Sequence, residues 1–237
     1  VGYDIYSPQG KLLEFNMQEV TIPGRSTDTV RFTPFIYGTN ANKWEPGAKN
    51  PPLYKVMLFT RRDGAYREYM PLKIGFGKTE LVDGRLTRFD KELKLVKAGY
   101  NAAADRKTTL AELKTLKAKG NNTICPDYPQ PGWFYDLCDE LGLYVIDCAN
   151  INAPEKRDDR KVGGTPSNDP SLADEYLERV KAMYYRSRNH SCVIAFALGG
   201  ESGNGYNMYK AYEWLKSVEK SRPVICADAD GEWNSDL

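Results

Sequence analysis

Histidine is almost missing from this chain: His190 is the single imidazole in 237 residues. That nearly removes nitrogen-rich metal sites and leaves a Ser-His-Asp triad one base to build on. Its setting, Arg188-Asn189-His190-Ser191 between a helix and a strand, reads as a turn, which favours a structural histidine. Five cysteines (Cys125, Cys138, Cys148, Cys192 and Cys226) make an odd count with no Cys-x-x-Cys spacing. Neither a disulfide frame nor a zinc cage is indicated. Charge of one sign is lacking too, since 33 basic and 32 acidic residues leave +1. That removes the long-range field needed for non-specific nucleic-acid binding. No run reaches the roughly 18 apolar residues of a membrane-spanning helix. The chain starts at Val1 with no basic or apolar leader, and its end has no tail composition. It is therefore expected to be a piece of a longer protein.

What is present is an ordinary globular composition, 41% hydrophobic and 27% charged, in a chain long enough to bury a core without staples. Its length suits one to two domains. The first part of the chain, to about residue 80, reads as all-β. Val30-Arg31-Phe32, Tyr54 to Phe59 and Tyr66 to Tyr69 are β-branched or aromatic runs. Pro23-Gly24, Asp63-Gly64, Asp83-Gly84 and the stretch from Pro46-Gly47 to Pro51-Pro52 supply turns. Arg62-Asp63-Gly64-Ala65 is a hairpin signal. Short strands at this spacing predict a small β-sandwich.

Beyond that the texture changes to helix alternating with strand. Thr109, with Glu112 three residues on, is the expected cap of a helix ended by Gly120. A strand follows near Thr123 to Cys125. Pro131 opens a second helix that Gly142 stops, and Leu143 to Ile146 is a buried strand. Asp169-Pro170 starts a long helix, Val193 to Leu198 is the next strand, and Tyr206 to Val218 is another amphipathic helix. Pro223 to Ala227 closes the series. Apolar strands alternating with helices mean a parallel sheet, either doubly wound or part of a (β/α)8 barrel.

Both architectures place chemistry at the carboxyl ends of the strands. Those ends carry Asp127, Asp147, Glu201 and Asp228. Carboxylates on a rim, without histidine or metal cage, point to acid–base work on an uncharged substrate such as a glycoside. Glu201 is the best candidate, because an apolar strand delivers it to a partly desolvated rim between glycines. The bland alternative is an acid answering a helix dipole. Gly200 and Gly205 have the spacing of a phosphate-binding loop, yet Tyr206-Asn207 follow where Lys and Ser or Thr are needed.

At this point longer strings become recognisable. Phe134 through Asp147 (Phe-Tyr-Asp-Leu-Cys-Asp-Glu-Leu-Gly-Leu-Tyr-Val-Ile-Asp), and Arg186 to Ile194 running into Leu198-Gly199-Gly200-Glu201-Ser202-Gly203, resemble β-galactosidases of glycoside hydrolase family 2. Tyr212 to Lys216 and Ser221 to Val224 continue in register, and Trp44 to Tyr54 with Gly75-Phe76-Gly77 resembles the sandwich preceding the barrel. The resemblance implies an immunoglobulin-like β-sandwich over residues 1–79 and an incomplete TIM barrel over residues 80–237. It implies a retaining β-glycosidase with Glu201 as general acid/base and a carbohydrate as partner. The family's nucleophile, a second glutamate, would lie past Leu237, so these residues alone are expected to be inactive.

Departures from the family cluster at the site. Gly200 stands where the family has Asn, and Asp147-Cys148-Ala149-Asn150 replaces its Asp-Glu-Ala-Asn. Ile124 and Asp127-Tyr128-Pro129 stand for its Arg and His-Tyr-Pro. The positions of the family's magnesium acid and histidine hold Asn152 and Pro154, so no cofactor is expected. Asp127, Asn150 and Gly200 are the expected sugar-facing positions beside Glu201. Two explanations stay open: a divergent hydrolase, or a degenerate carbohydrate-binding or scaffold domain that kept the fold. Tyr128, Trp133 and Trp233 are the aromatics suited to stacking on sugar, although Trp133 on a helix face suits a core equally. Unpaired barrel edges predict self-association.

Overall fold

The computed structural model describes residues 1–46 and 50–237. The turn expected from Pro46-Gly47 to Pro51-Pro52 therefore lies partly outside the described residues. Two compact units are present: Val1–Trp44 with Pro51–Phe76, and Glu45–Asn50 with Gly77–Leu237.

The first unit is one antiparallel sheet. Strands β1 (Gly2–Tyr6), β2 (Leu12–Met17), β3 (Tyr54–Arg62) and β4 (Ala65–Ile74) lie in the order β2-β1-β3-β4. The β3–β4 hairpin turns on Asp63 (φ 54°) and Gly64 (φ 75°), the double left-handed pair of a type I′ turn. Tyr3, Ile5, Tyr54 and Phe59 are buried from the sheet, whereas Phe15, Met17, Tyr69 and Met70 stay exposed. The second sheet of the sandwich read from the sequence is not among the described residues of this unit. Val30-Arg31-Phe32 forms no strand. Instead Phe32 meets the Tyr3 ring edge-on at 5.0 Å, and the Arg31 carbonyl accepts from the Gln18 side chain at 3.1 Å. Side-chain packing, not a ladder, uses those β-prone residues.

In the second unit β5 (Thr79–Val82), β6 (Arg85–Arg88) and β7 (Lys91–Glu92) form a small antiparallel sheet turned at Asp83-Gly84. There follow β8 (Lys97–Tyr100), α1 (Arg106–Ala118), β9 (Thr123–Pro126), α2 (Gly132–Leu141) and β10 (Tyr144–Cys148). The series ends with α3 (Ala173–Ser187), β11 (Val193–Ala197), α4 (Tyr206–Val218) and β12 (Val224–Ile225). The five late strands pair in parallel in the unbroken order β8-β9-β10-β11-β12. A doubly wound sheet reverses its order at a switch point; this one does not. The arrangement is that of consecutive staves in a partial α/β barrel.

Local chemistry sets the boundaries. Asp105, not Thr109, caps α1, accepting from the amides of Lys107 and Thr108 at 2.9 and 3.0 Å. Thr109 is buried one turn inside and takes a hydrogen bond from the Tyr100 hydroxyl. Gly142 ends α2 at φ 66°, with the Leu143 amide bonded to the Cys138 carbonyl. The helix expected from Asp169-Pro170 begins as a 3-10 turn, Pro170–Leu172, capped by Asp169, before α3 proper. Ile124, Val145, Ile194 and Phe196 are buried from the strands, facing Leu113, Phe134, Leu137, Val180, Met183 and Leu215 of the helices. Each such side chain contributes roughly 1.5–3 kcal/mol on leaving water. The outer edge of β12 is closed by its own chain. The Val224 amide donates to the Asp236 carboxylate, and the Asp236 amide to the Val224 carbonyl. No helix among the described residues is long and apolar enough to cross a membrane.

Candidate active site

The carboxyl ends of β8 to β11 surround a cavity of about 610 Å³. Asn101 enters from the loop after β8, and Asp127 and Tyr128 from the loop after β9. Cys148 and Asn152 come from β10 and its following segment, and Gly200 and Glu201 from the loop after β11. A strand points alternate residues to one face, so Ile146 and Cys148 line the cavity while Asp147 between them points away.

Of the positions singled out in the sequence, Glu201, Asp127 and Gly200 share this cavity. Asn150 does not; it lines a neighbouring cavity of about 170 Å³ with Asn152 and Arg179. Its carbonyl accepts from Arg179 at 2.6 Å. The short return after β10 (Ile151 amide to Ala149 carbonyl, 2.7 Å) carries Asn150 outward.

Glu201 is more exposed than its apolar strand suggests. Its side chain is 68% accessible, and Oε2 lies 3.1 Å from a guanidinium nitrogen of Arg157. Arg157 also faces Asp228 at 3.9 Å. The Asp228 and Glu201 carboxylates raise the Arg157 guanidinium above its ordinary range.

The loop behind Glu201 is held at every residue. The Glu201 carbonyl accepts from the Ala153 amide, and that amide also donates to the Ser202 hydroxyl. The Ser202 carbonyl accepts from Thr165 and Ser167. Gly203 takes φ 68°, and a Cβ there would lie 2.6 Å from the Arg157 carbonyl, so only glycine fits. Asn204 and Asn234, both buried, exchange amide hydrogen bonds at 2.8 and 3.1 Å.

Three residues that the sequence did not single out shape the site. Gln130 accepts from the Ala103 amide and donates to the carbonyls of Asn101 and Tyr128, tying two rim loops together. A glutamine between Pro129 and Pro131 was the available signal. Arg157 and Thr165 sit in an irregular segment with no periodicity to mark them.

His190, the lone imidazole, is held structurally. The His190 ring meets the Asp139 carboxylate at 2.7 Å, and the same carboxylate accepts the Cys192 amide. These three form the one group among the described residues with metal-ligand proximity. Both Asp139 oxygens are already committed, and burial pushes the Cys192 thiol well up, so the group serves as a hydrogen-bonded buttress. Burial also raises the thiols of Cys125 and Cys148 that line the cavity, that of Cys148 to about 12. Both are thereby kept as neutral thiols and poor nucleophiles. The side chains of Asn152 and Pro154, where the resemblance implies the family's magnesium ligands, offer one oxygen between them, that of a neutral amide. The Asn152 amide nitrogen donates to the Tyr128 hydroxyl at 2.9 Å. That donor set does not fit a hard cation that binds through carboxylates.

Comparison with known proteins agrees with the partial α/β barrel. The family model described as "Glycosyl hydrolases family 2, TIM barrel domain" matches residues 99–236. A β-galactosidase of Vibrio cholerae is 34% identical over 185 residues, 73% of this chain and 18% of that protein. One from Lactococcus lactis is 36% identical over 190 residues, with the same coverages. Among solved structures, a β-glucuronidase of Parabacteroides merdae superposes with TM-score 0.74 at 18% identity, covering 95% of this chain and 30% of that one. A family 2 glycosyl hydrolase from Bacteroides cellulosilyticus gives 0.72 at 19% identity, covering 95% of this chain and 31% of that one. The chain thus spans less than a fifth of the curated relatives it matches.

Proposed function

Because this chain belongs to glycoside hydrolase family 2, we propose that it carries the acid/base half of a β-glycosidase site, with Glu201 as the proton donor. The observation that carries the reading is the placement of Glu201. It stands at the end of the fourth barrel strand, on a loop fixed at each residue, facing a cavity of about 610 Å³ that has room for a sugar and also holds Asp127. Acid catalysis needs a carboxyl beside the glycosidic oxygen, and fixed geometry supplies much of the rate.

In the retaining course, Glu201 protonates the leaving oxygen as a second carboxylate attacks the anomeric carbon. Glu201 then takes the proton of the water that releases the sugar. We place that second carboxylate outside these 237 residues, so on this reading they alone release no nitrophenol from aryl β-galactosides. Asp127, Asn101 and Asn152 are the proposed hydrogen-bonding partners of the sugar hydroxyls, and we assign the site no resident metal. The domain division at residues 79 and 80, with a sandwich before the barrel, remains part of the proposal.

The test is hydrolysis of aryl β-galactosides and β-glucuronides by the full-length protein and by Glu201→Gln. A loss of at least about a hundredfold is expected, the lower end of the range for a general acid. Unchanged turnover removes Glu201 from the mechanism. The second reading is a binding domain without catalysis, favoured by Gly200 and Cys148 standing where the family has polar groups. Sugar binding without turnover, insensitive to Glu201→Ala, would select it.

A further inference from the structure

Asp228 stands at the end of the fifth barrel strand, where a rim acid is read as a ligand-facing group. It does not line the cavity. One carboxylate oxygen, Oδ2, accepts both the Ser202 and the Gly203 amides, each at 2.7 Å. The other, Oδ1, faces Arg157 at 3.9 Å, and Arg157 reaches Glu201 at 3.1 Å. The Asp228 side chain is only 15% accessible. One carboxylate therefore reaches Glu201 by two routes, through the backbone immediately after it and through the cation on its side chain.

We propose that Asp228 is a positioning residue for Glu201, holding its loop through two amides and its carboxylate through Arg157. This rests on the acid/base reading of Glu201. An exposed glutamate has several rotamers of similar energy, and fixing one of them costs entropy that a neighbour must offset. Charge-assisted bonds from two amides to one carboxylate are among the stronger ones available. Arg157 is itself placed by contact with the loop, since its carbonyl is the atom that excludes any side chain at Gly203. The three residues come from the segments that follow strands three, four and five. The acid is thus aimed by groups from neighbouring barrel strands as well as by its own loop.

The test compares Asp228→Ala, Asp228→Asn and Arg157→Gln by amide exchange on this chain and by kinetics on the full-length protein. In Asp228→Ala the Ser202 and Gly203 amides should exchange at least tenfold faster, with the amides of β10 unchanged. Asparagine retains an oxygen for both amides, so Asp228→Asn should restore protection to within about threefold. Arg157→Gln should leave the amides protected while the Glu201 side chain gains mobility in carbon relaxation. In the full-length protein, Asp228→Ala and Arg157→Gln should lower kcat about tenfold with KM little changed. Wild-type exchange at Ser202 and Gly203 in a folded Asp228→Ala overturns the proposal, as does Asp228→Asn behaving like alanine. If alanine prevents folding, the asparagine and Arg157 variants decide alone. An active Glu201→Gln would sink the acid/base reading of Glu201 and leave the amide result standing, so the two failures are distinguishable.

Discussion

Asp147 and Arg186 meet at 2.7 Å behind the cavity wall, in a pair whose carboxylate is wholly buried. The Tyr135 hydroxyl donates to the other Asp147 oxygen at 2.6 Å, and the guanidinium stacks over the Tyr135 ring at 5.1 Å. Burial, reinforced by the Asp147 charge, drives the Tyr135 phenol well above its ordinary range. The cluster ties α2 and α3 to the back of β10, the strand whose front carries Ile146 and Cys148 into the cavity. An acid that the strand-end pattern offers to chemistry is thereby spent on fastening helices to the sheet.

Removing one partner of such a pair leaves an uncompensated charge. Asp147→Ala should cost about 3 kcal/mol, the low end for buried pairs because Arg186 keeps some contact with water. Urea unfolding measures it, and a change under about 1 kcal/mol would mean the pair is not under tension from burial.

Acid should unfold the second unit through two particular carboxylates. At Glu219 burial pushes the carboxyl up, but Arg222 and the Ser221 amide outweigh it and hold the group below its ordinary range. At Asp236 burial is likewise outweighed, here by Lys216 and by the Val224 amide. A folded-state value below the unfolded one stabilises above the unfolded value and is lost as pH falls. With ordinary values of 4.5 and 3.8, the urea midpoint should hold between neutrality and about pH 5 and decline below it. Glu219→Gln should flatten that decline; an unchanged slope would assign the acid limb elsewhere.

The alkaline limb has the opposite sign. Burial raises the phenols of Tyr100, Tyr144 and Tyr212 from 10.0 to about 12. Their stabilisation is complete below the unfolded value and is lost as pH climbs from 10 toward 12. Tyrosinate absorbance should therefore lag behind that of the unfolded chain across this window, and coincident titrations would contradict it.

Much of the fold is legible in the sequence. The α4 boundaries, the Gly142 stop and the Asp63-Gly64 hairpin follow from local signals strong enough to survive any tertiary context. Thr109 with Glu112 mimics a capping box, but the helix begins one turn earlier, where Asp105 accepts the amides of Lys107 and Thr108. Val30 to Phe32 misled because β-propensity reports fitness for a packed surface, and Phe32 packs by its ring edge without a ladder. The cavity's membership was legible from strand ends for Asp127 and Glu201. Arg157 and Gln130 were not, since irregular segments carry no period and their contacts form between loops far apart in sequence.

Gly199 and Gly200 are adjacent and chemically identical, yet the structure separates them. A Cβ at Gly199 would stand 2.8 Å from the Ile151 carbonyl oxygen, a backbone atom that cannot swing aside. At Gly200 the nearest atom is the Asn152 side-chain oxygen at 3.5 Å, an ordinary contact. Gly199→Ala should therefore cost about 1–3 kcal/mol through a forced backbone shift, whereas Gly200→Ala should stay within about 0.5 kcal/mol. Thermal unfolding of the two variants checks the pair, and equal losses would refute the distinction. Since no strain demands glycine at 200, Gly200→Asn is accessible, and it would place an amide beside Glu201 against Asn152. If the full-length protein hydrolyses β-galactosides, that substitution should raise kcat/KM, because the added hydrogen bond to the sugar strengthens in the transition state. A fall would mean that Asn152 already fills the space and that the missing amide reflects a different sugar, not a lost function.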